Sequence, residues 1–276
     1  MNELTSQTRL PAATGISRHF LTVMLGLTLC CIIFLPDGWA GELSPTTPRV
    51  LKSPKAQAAA ETGTATGRIR VALYDGGGSS SRGISNVFRL LDGAPNFAVT
   101  RVTPEQIGGD ALKNFDVVIF TGGSGSRQAN TLGAEARNKV TEFVERGGGY
   151  VGICAGAYLA TSGYDWSLKL INAKTVSPKW QRGKSPVKME LTGKGREIFG
   201  ANTALVEVRY ANGPIIQPAG QKELPAYEPL AFFRSEVAEN GSPAGVMINS
   251  PAIVSAVCGK GRVDRKSTRL NSSHRT

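Results

Sequence analysis

One cysteine and its neighbours carry the most chemistry in this chain. Residues 152–160 read GICAGAYLA, with Gly152 and Gly156 two positions to either side of Cys154. A nucleophile framed this way, after an apolar strand pattern and before small helix-forming residues, marks a sharp strand-to-helix turn. The flanking glycines let neighbouring backbone approach, and the turn holds the side chain clear of the sheet. The N–H of Ala155 then points into the same space, at a helix start that favours developing negative charge. The same location is expected to lower the thiol pKa. The competing reading is a buried, inert cysteine in a tight turn.

A thiol nucleophile needs a proton acceptor. The chain has two histidines, His19 in an N-terminal apolar segment and His274 near the C-terminus, and neither position suits a folded site. Two further glycine-rich stretches bear on the site. TGGSG (residues 121–125) carries N–H groups able to complete an oxyanion hole beside Cys154. GGGSSS, which includes Gly76 and Gly77, reads as an active-site loop or an anion cradle. Trp166 and Trp180 read as packing or cleft-wall residues, and Asp165 as a candidate carboxylate near the cysteine helix. The run KWQRGKSPVK (179–188) carries four positive charges and reads as a solvated loop or as a steering element for an anionic substrate.

The elements that must position these residues follow from periodicity. RIRVALYD, FAVTRV, FDVVIF and GYVGIC are β-branched or apolar runs, each bounded by turn residues. Between them, ISNVFRLLDG and LGAEARNKVTEFVERGG show helical spacing. This alternation predicts βαβ units and a parallel sheet covered on both faces. Ligands are expected at the carboxyl ends of its strands, where the three glycine loops would gather. Beyond AYLATSGYDW the pattern becomes short runs with little helix: VKMELT, ALVEVRY, PLAFFR, AGVMINS and AIVSAVCGKGRV. These predict antiparallel additions to the sheet.

The ends differ from the body. Arg9, Arg18 and His19 precede an apolar run from Phe20 to Leu35, and Gly38 and Ala40 occupy the minus-three and minus-one positions of a signal-peptidase site. Residues 1–40 are therefore expected to be a signal peptide directing export to the periplasm or exterior. The alternative is a retained anchor, the run being just short of the ~17 to 20 residues that span a bilayer. Residues 41–67, rich in Pro, Ala and Thr, read as a flexible linker. The run DRKSTRLNSSH (264–274) resembles the translation of a sequencing-adapter oligonucleotide, so residues 264–276 are expected to be an artefact and the domain at 68–263 truncated.

The whole chain carries a formal net charge of +11; with both ends set aside, 26 basic and 18 acidic residues leave +8. The positive charges are scattered and no nucleic-acid motif accompanies them, so no nucleic-acid partner is expected. Cys154 and Cys258 are the cysteines of the body, in contexts that argue against a disulfide.

VALYDGGGSSS, VVIFTGGSG and GGGYVGICAGAYLA, in this order, resemble the N-terminal domain of eukaryotic-type biotin-protein ligases, a branch of the class I glutamine amidotransferase-like superfamily. The resemblance is good from about Arg68 to Leu170 and looser at VRYANGP (208–214). It implies a flavodoxin-like, doubly wound, mostly parallel sheet with helices on both faces and added antiparallel strands. It aligns Cys154 with the superfamily nucleophile, Gly122 and Gly123 with the oxyanion-loop glycines, and Gly76 and Gly77 with the first-strand loop. Biotin ligation does not follow, because the resemblance does not extend to the ligases' catalytic domain. In active amidotransferases a His and a Glu follow a strand opening G-x-G-R-V. GKGRV (259–263) stands directly before the adapter-like run, so the missing base is expected past Val263 in the source gene.

The expected function is that of an exported cysteine hydrolase acting on a small amide, inactive without its His/Glu segment. The alternative is a non-catalytic ligand-binding module of the same fold. A protease- or chaperone-like relative, which would use an acidic residue such as Asp75, is a third reading. No cofactor or metal is implied. The expected partner is a small-molecule amide or other small ligand, with membrane contact only through an uncleaved N-terminal segment.

Overall fold

The computed structural model describes residues 67–259 and the backbone of Cys31–Phe34. The rest of the expected leader, most of the linker, and the GKGRV and adapter-like segments after Gly259 lie outside the described residues.

Strands β1 (Cys31–Phe34), β2 (Ile69–Tyr74), β3 (Phe97–Val102), β4 (Val117–Phe120) and β5 (Gly149–Ile153) form one part of the main sheet. Strands β2 to β5 are joined by α1 (Ser81–Asp92), α2 (Pro104–Gly108) with a following 3-10 turn, and α3 (Gly125–Glu145); α4 (Ala155–Ala160) follows β5. The second half of the chain adds β6 (Ala173–Thr175), β7 (Lys184–Leu191), α5 (Gly193–Phe199), β8 (Leu205–Ala211), β9 (Ile216–Pro218), β10 (Tyr227–Phe233) and β11 (Pro251–Ala256).

Nine described strands make one sheet in the order β3-β2-β4-β5-β1-β11-β10-β7-β8, while β6 and β9 pair separately. Strands β3, β2, β4 and β5 are parallel neighbours; β11, β10, β7 and β8 are antiparallel neighbours, with β7 between β10 and β8. The fold is thus the expected flavodoxin-like α/β sheet with antiparallel additions.

Strand β1 joins the two halves, antiparallel to β5 and parallel to β11. It lies within the apolar run expected to be the core of a leader. A short apolar, β-branched run satisfies the pattern of a buried central strand as well as that of a leader core.

Period-two alternation sorts the core into two layers. Val71 and Leu73 of β2, with Val117 and Ile119 of β4, pack against Ile84, Val87 and Leu91 of α1. Ala72, Tyr74, Val118 and Phe120 face the other way, onto Ala129, Ala136, Val140 and Val144 of α3 and Ala157 of α4. Because β2 is flanked by β3 on one side and β4 on the other, the chain reverses its winding between β2 and β4. That switch point is where a doubly wound sheet opens a crevice at its strand ends.

Three expectations change in detail. Helix α3 begins at Gly125, seven residues before the periodic run, because the Ser124 side chain accepts from the Arg127 N–H; its helical geometry is interrupted at Gly133, with φ of 70°. Residues 244–250 (AGVMINS) form turns rather than a strand. Gly245 and Asn249 take positive φ, and the Glu236 carboxylate accepts the N–H groups of Gly245 and Met247, so the ladder bonds are replaced locally. Helix α5, capped by the Thr192 hydroxyl accepting from the Gly195 N–H at 3.0 Å, adds a helix to a region read as nearly all strand.

Candidate functional site

Cys154 leaves β5 with φ 52° and ψ −97° and starts α4 as its N-cap. A non-glycine residue held there costs on the order of 1–3 kcal/mol, which the surroundings must offset. They do so by close backbone approach. A Cβ at Gly152 would stand 2.5 Å from the Gly156 carbonyl oxygen, and one at Gly156 would stand 2.3 Å from the Phe120 carbonyl oxygen. The buried Tyr150 hydroxyl donates to the Gly156 carbonyl at 2.8 Å, and Tyr74, Phe120 and Tyr150 stack in a row beneath the turn at 4.7 and 5.5 Å. The elbow read from GICAG is therefore locked by its own strand and by β4.

The TGGSG loop (121–125) is buttressed by the first glycine loop. Ser80 N–H donates to the Gly122 carbonyl at 2.7 Å, Ser124 N–H donates to the Gly78 carbonyl at 2.8 Å, and Ser79 bridges Gly123. Gly123, at φ 146°, would bring a Cβ within 2.0 Å of the Gly78 oxygen, while Gly122 stands where a Cβ would touch the Cys154 side chain. Gly122, Gly123, Cys154 and Ala155 thus come together. Gly76 and Gly77 do not reach the cavity: they pack on Tyr74 and Pro104, and on Thr131, respectively. Their loop meets the cavity through Ser80.

The partly buried thiol donates to the Ala211 carbonyl at the end of β8, 3.6 Å away. Burial pushes the Cys154 thiol pKa up, and the N–H groups of Gly123 and Ala155, which pull it down, do not outweigh that. The helix-start argument for a lowered pKa is therefore overturned for the resting site: α4 is only six residues long, and desolvation acts on the whole thiolate charge. No histidine stands among the described residues.

Around the thiol lies a cavity of about 540 Å³. The starts of α1, α3 and α4 converge on it through Ser80, Ser124 and Cys154. Tyr158, Tyr164, Trp166 and Trp180 form its aromatic side, with the Tyr164 and Trp166 rings stacked at 4.6 Å. Arg82 and Lys184 are the charged residues of its wall, which contains no carboxylate. Asp165 is not on that wall. Asp75 pairs with Arg101 at 3.6 Å, which gives no support to an acidic partner for Cys154. No group of three His, Cys, Asp or Glu among the described residues could hold a metal ion.

Sequence reasoning missed the turn Ala211-Asn212-Gly213, although VRYANGP had been singled out. Asn212, at φ 56°, accepts from the Gly183 N–H through its side chain, and its carbonyl accepts from the Tyr158 hydroxyl. Through these bonds the antiparallel half of the sheet supplies one wall of the site.

Fold and site together define a doubly wound α/β domain with a cysteine elbow at the carboxyl end of β5, one strand from the switch point between β2 and β4. Residues 69–178 match the family model described as biotin-protein ligase, N terminal. The matched stretch runs from β2 through all three glycine loops to Pro178 on the cavity wall. No curated protein matches the chain.

Proposed function

We propose that the domain is a cysteine hydrolase of amidotransferase type, exported, and acting on a small amide bound in the 540 Å³ cavity. The observation that carries this reading is the Cys154 backbone, held at φ 52° and ψ −97° with two N–H groups, Gly123 and Ala155, beside its sulfur. Strain kept at one residue by surrounding backbone points to function. The proposal of export rests on the basic, apolar and small-residue pattern of the first forty residues alone, and cleavage after Ala40 would take β1 out of the sheet between β5 and β11.

In this reading the Cys154 thiolate attacks the amide carbonyl carbon. The C–S bond forms as the carbonyl π pair moves to oxygen, and the oxyanion accepts from Gly123 and Ala155. Collapse breaks the C–N bond, and the amine leaves with the proton first taken from the thiol. Water then hydrolyses the thioester to a carboxylate and restores the thiol. No histidine stands among the described residues, so in this reading the proton carrier comes from outside them. A second reading, a ligand-binding module, is favoured by the protonated resting thiol and its bond to the Ala211 carbonyl.

The test is chemical rescue. The purified chain is incubated with an activated acyl donor such as p-nitrophenyl acetate, with and without exogenous imidazole, beside a Cys154→Ala variant. An acetyl group on Cys154 by mass spectrometry, turning over faster as imidazole rises, is the expected result. If Cys154 acquires no acyl group at any imidazole concentration, the hydrolase reading fails and the binding module stands.

A further inference from the structure

The charge and shape of the cavity wall bear on what enters it. Arg82 and Lys184 both line the cavity, both are exposed, and neither has an ion-pair partner among the described residues. They come from different parts of the fold, the first turn of α1 and the first residue of β7, so the cavity brings together two cations that are remote in sequence. Elsewhere the surface cations commonly face acids: Arg70 pairs with Asp116, Lys194 with Glu228 and Arg234 with Glu190.

A second observation points the same way. Thr121, 1% exposed and on the cavity wall, has a hydroxyl with no hydrogen-bond partner among the described residues. A buried hydroxyl left without a partner costs about 1–3 kcal/mol, so such groups normally meet a ligand or water. It stands beside Gly83 in the first turn of α1, close to where the α1 and α3 starts present N–H groups. Across the cavity, Tyr158, Tyr164, Trp166 and the half-exposed Trp180 offer ring faces and edges.

We propose that this cavity selects a carboxylate-bearing small molecule with a flat apolar body. The carboxylate sits between Arg82, Lys184 and the Thr121 hydroxyl, and the body lies on the Tyr164–Trp166 stack. This rests on the cavity being a small-molecule site, as the proposed function holds, and not on whether Cys154 turns over. In that function it makes the substrate an anionic amide and disfavours cationic ones.

The test uses Cys154 as a reporter of local potential. The full chain is alkylated with iodoacetate and, separately, iodoacetamide, and the rate at each cysteine is read by peptide mass spectrometry. The iodoacetate-to-iodoacetamide ratio is referred to the same ratio in the urea-unfolded chain. At Cys154 the ratio is expected to exceed the reference by about three- to tenfold, the range for two solvent-exposed charges at a pocket mouth. It should fall towards the reference in 0.5 M salt and in an Arg82→Gln/Lys184→Gln variant. Cys258, whose thiol pKa is raised by burial and by the Glu145 carboxylate, is the internal control and should show no excess. A Cys154 ratio at or below the reference, or one unmoved by the double variant, overturns the proposal and leaves the hydrolase test unaffected. Protection of Cys154 from iodoacetamide by phenylacetate, exceeding that by phenylacetamide and by 2-phenylethylamine, tests the apolar body. Equal protection by all three also counts against the proposal. Both mutated side chains are exposed, and an unchanged melting temperature confirms that the variant folds.

Discussion

Substituting alanine at Gly156 tests whether the elbow is held by backbone approach. The new Cβ would stand 2.3 Å from the Phe120 carbonyl oxygen, 2.7 Å from the Phe120 Cβ and 2.9 Å from its carbonyl carbon. Restoring ordinary contact requires the start of α4 to move by about 1 Å away from β4. Alanine gains about 1 kcal/mol of helix propensity over glycine. Against this stand an overpacking cost of about 1–3 kcal/mol or more and the strained Tyr150–Gly156 hydrogen bond, worth about 1 kcal/mol. The net expectation is a loss of about 2 kcal/mol, a fall in melting temperature of about 4–8 °C for a domain of this size. Gly108→Ala is the control: nothing stands within 4 Å of its Cβ position and its φ is not positive, so a gain of up to about 1 kcal/mol is expected. Thermal unfolding of both variants beside the parent is the assay. If Gly156→Ala melts with Gly108→Ala, at or above the parent, then close packing on Phe120 does not hold the elbow.

Three other outcomes follow from the same geometry. The rate of iodoacetamide reaction at Cys154 should rise with pH to a midpoint above that of a free thiol, since burial raises its pKa; a midpoint near 7 would refute the resting state described. Tyr74, raised to about 12 mainly by burial, and Tyr150, raised well above its ordinary value by burial, bind their protons more tightly folded than unfolded. Their contribution is complete below about pH 10, where the unfolded phenols are also protonated, and is lost as pH rises beyond that. Urea midpoints should therefore hold up to about pH 10 and fall above it; a flat profile to pH 12 would contradict the burial of these rings. Thr121→Val replaces an unpartnered buried hydroxyl with a methyl group, so the ligand-free protein should keep its stability or gain up to about 1 kcal/mol. Carboxylate probes should bind the variant more weakly, and a marked loss of stability would show that the hydroxyl is bonded within the fold.

What the sequence disclosed about this site was local. GICAG revealed the elbow because the two close approaches, Gly152 to residue 156 and Gly156 to Phe120, both demand glycine, and that demand shows as spacing. FAVTRV coincided with β3 because alternation and flanking turns agree there. The Ala211 carbonyl could not be found this way, since it reaches Cys154 by backbone, and a carbonyl has no residue signature. Arg82 was equally hidden, while Lys184 lay in the basic run 179–188 that reads as a solvated loop or as a steering element for an anionic substrate. Sequence spacing does not pair them, and only the fold brings the first turn of α1 and the start of β7 to the wall of one cavity. Gly76 and Gly77 erred in the opposite direction: their glycine signature was real, but it records packing on Tyr74 and Thr131.

The thiol's raised pKa and the strained elbow look contradictory, yet both follow from one arrangement. The N–H groups of Gly123 and Ala155 can serve a thiolate or a tetrahedral oxyanion. If they stabilised the thiolate fully, they would bind the ground state as well as the transition state, and attack would gain nothing from them. In the proposed hydrolase, a resting thiol that donates to Ala211 instead would leave these donors for the charge that develops during reaction. A hydrolase of this kind would depend on an acceptor that takes the thiol proton only when substrate is bound. Supplied imidazole should therefore raise the acylation rate of Cys154 more than its alkylation rate, because acylation alone develops an oxyanion between the two N–H groups. Equal enhancement of the two rates would mean that the donors serve the thiolate, and the assignment of Gly123 and Ala155 to the oxyanion would fall.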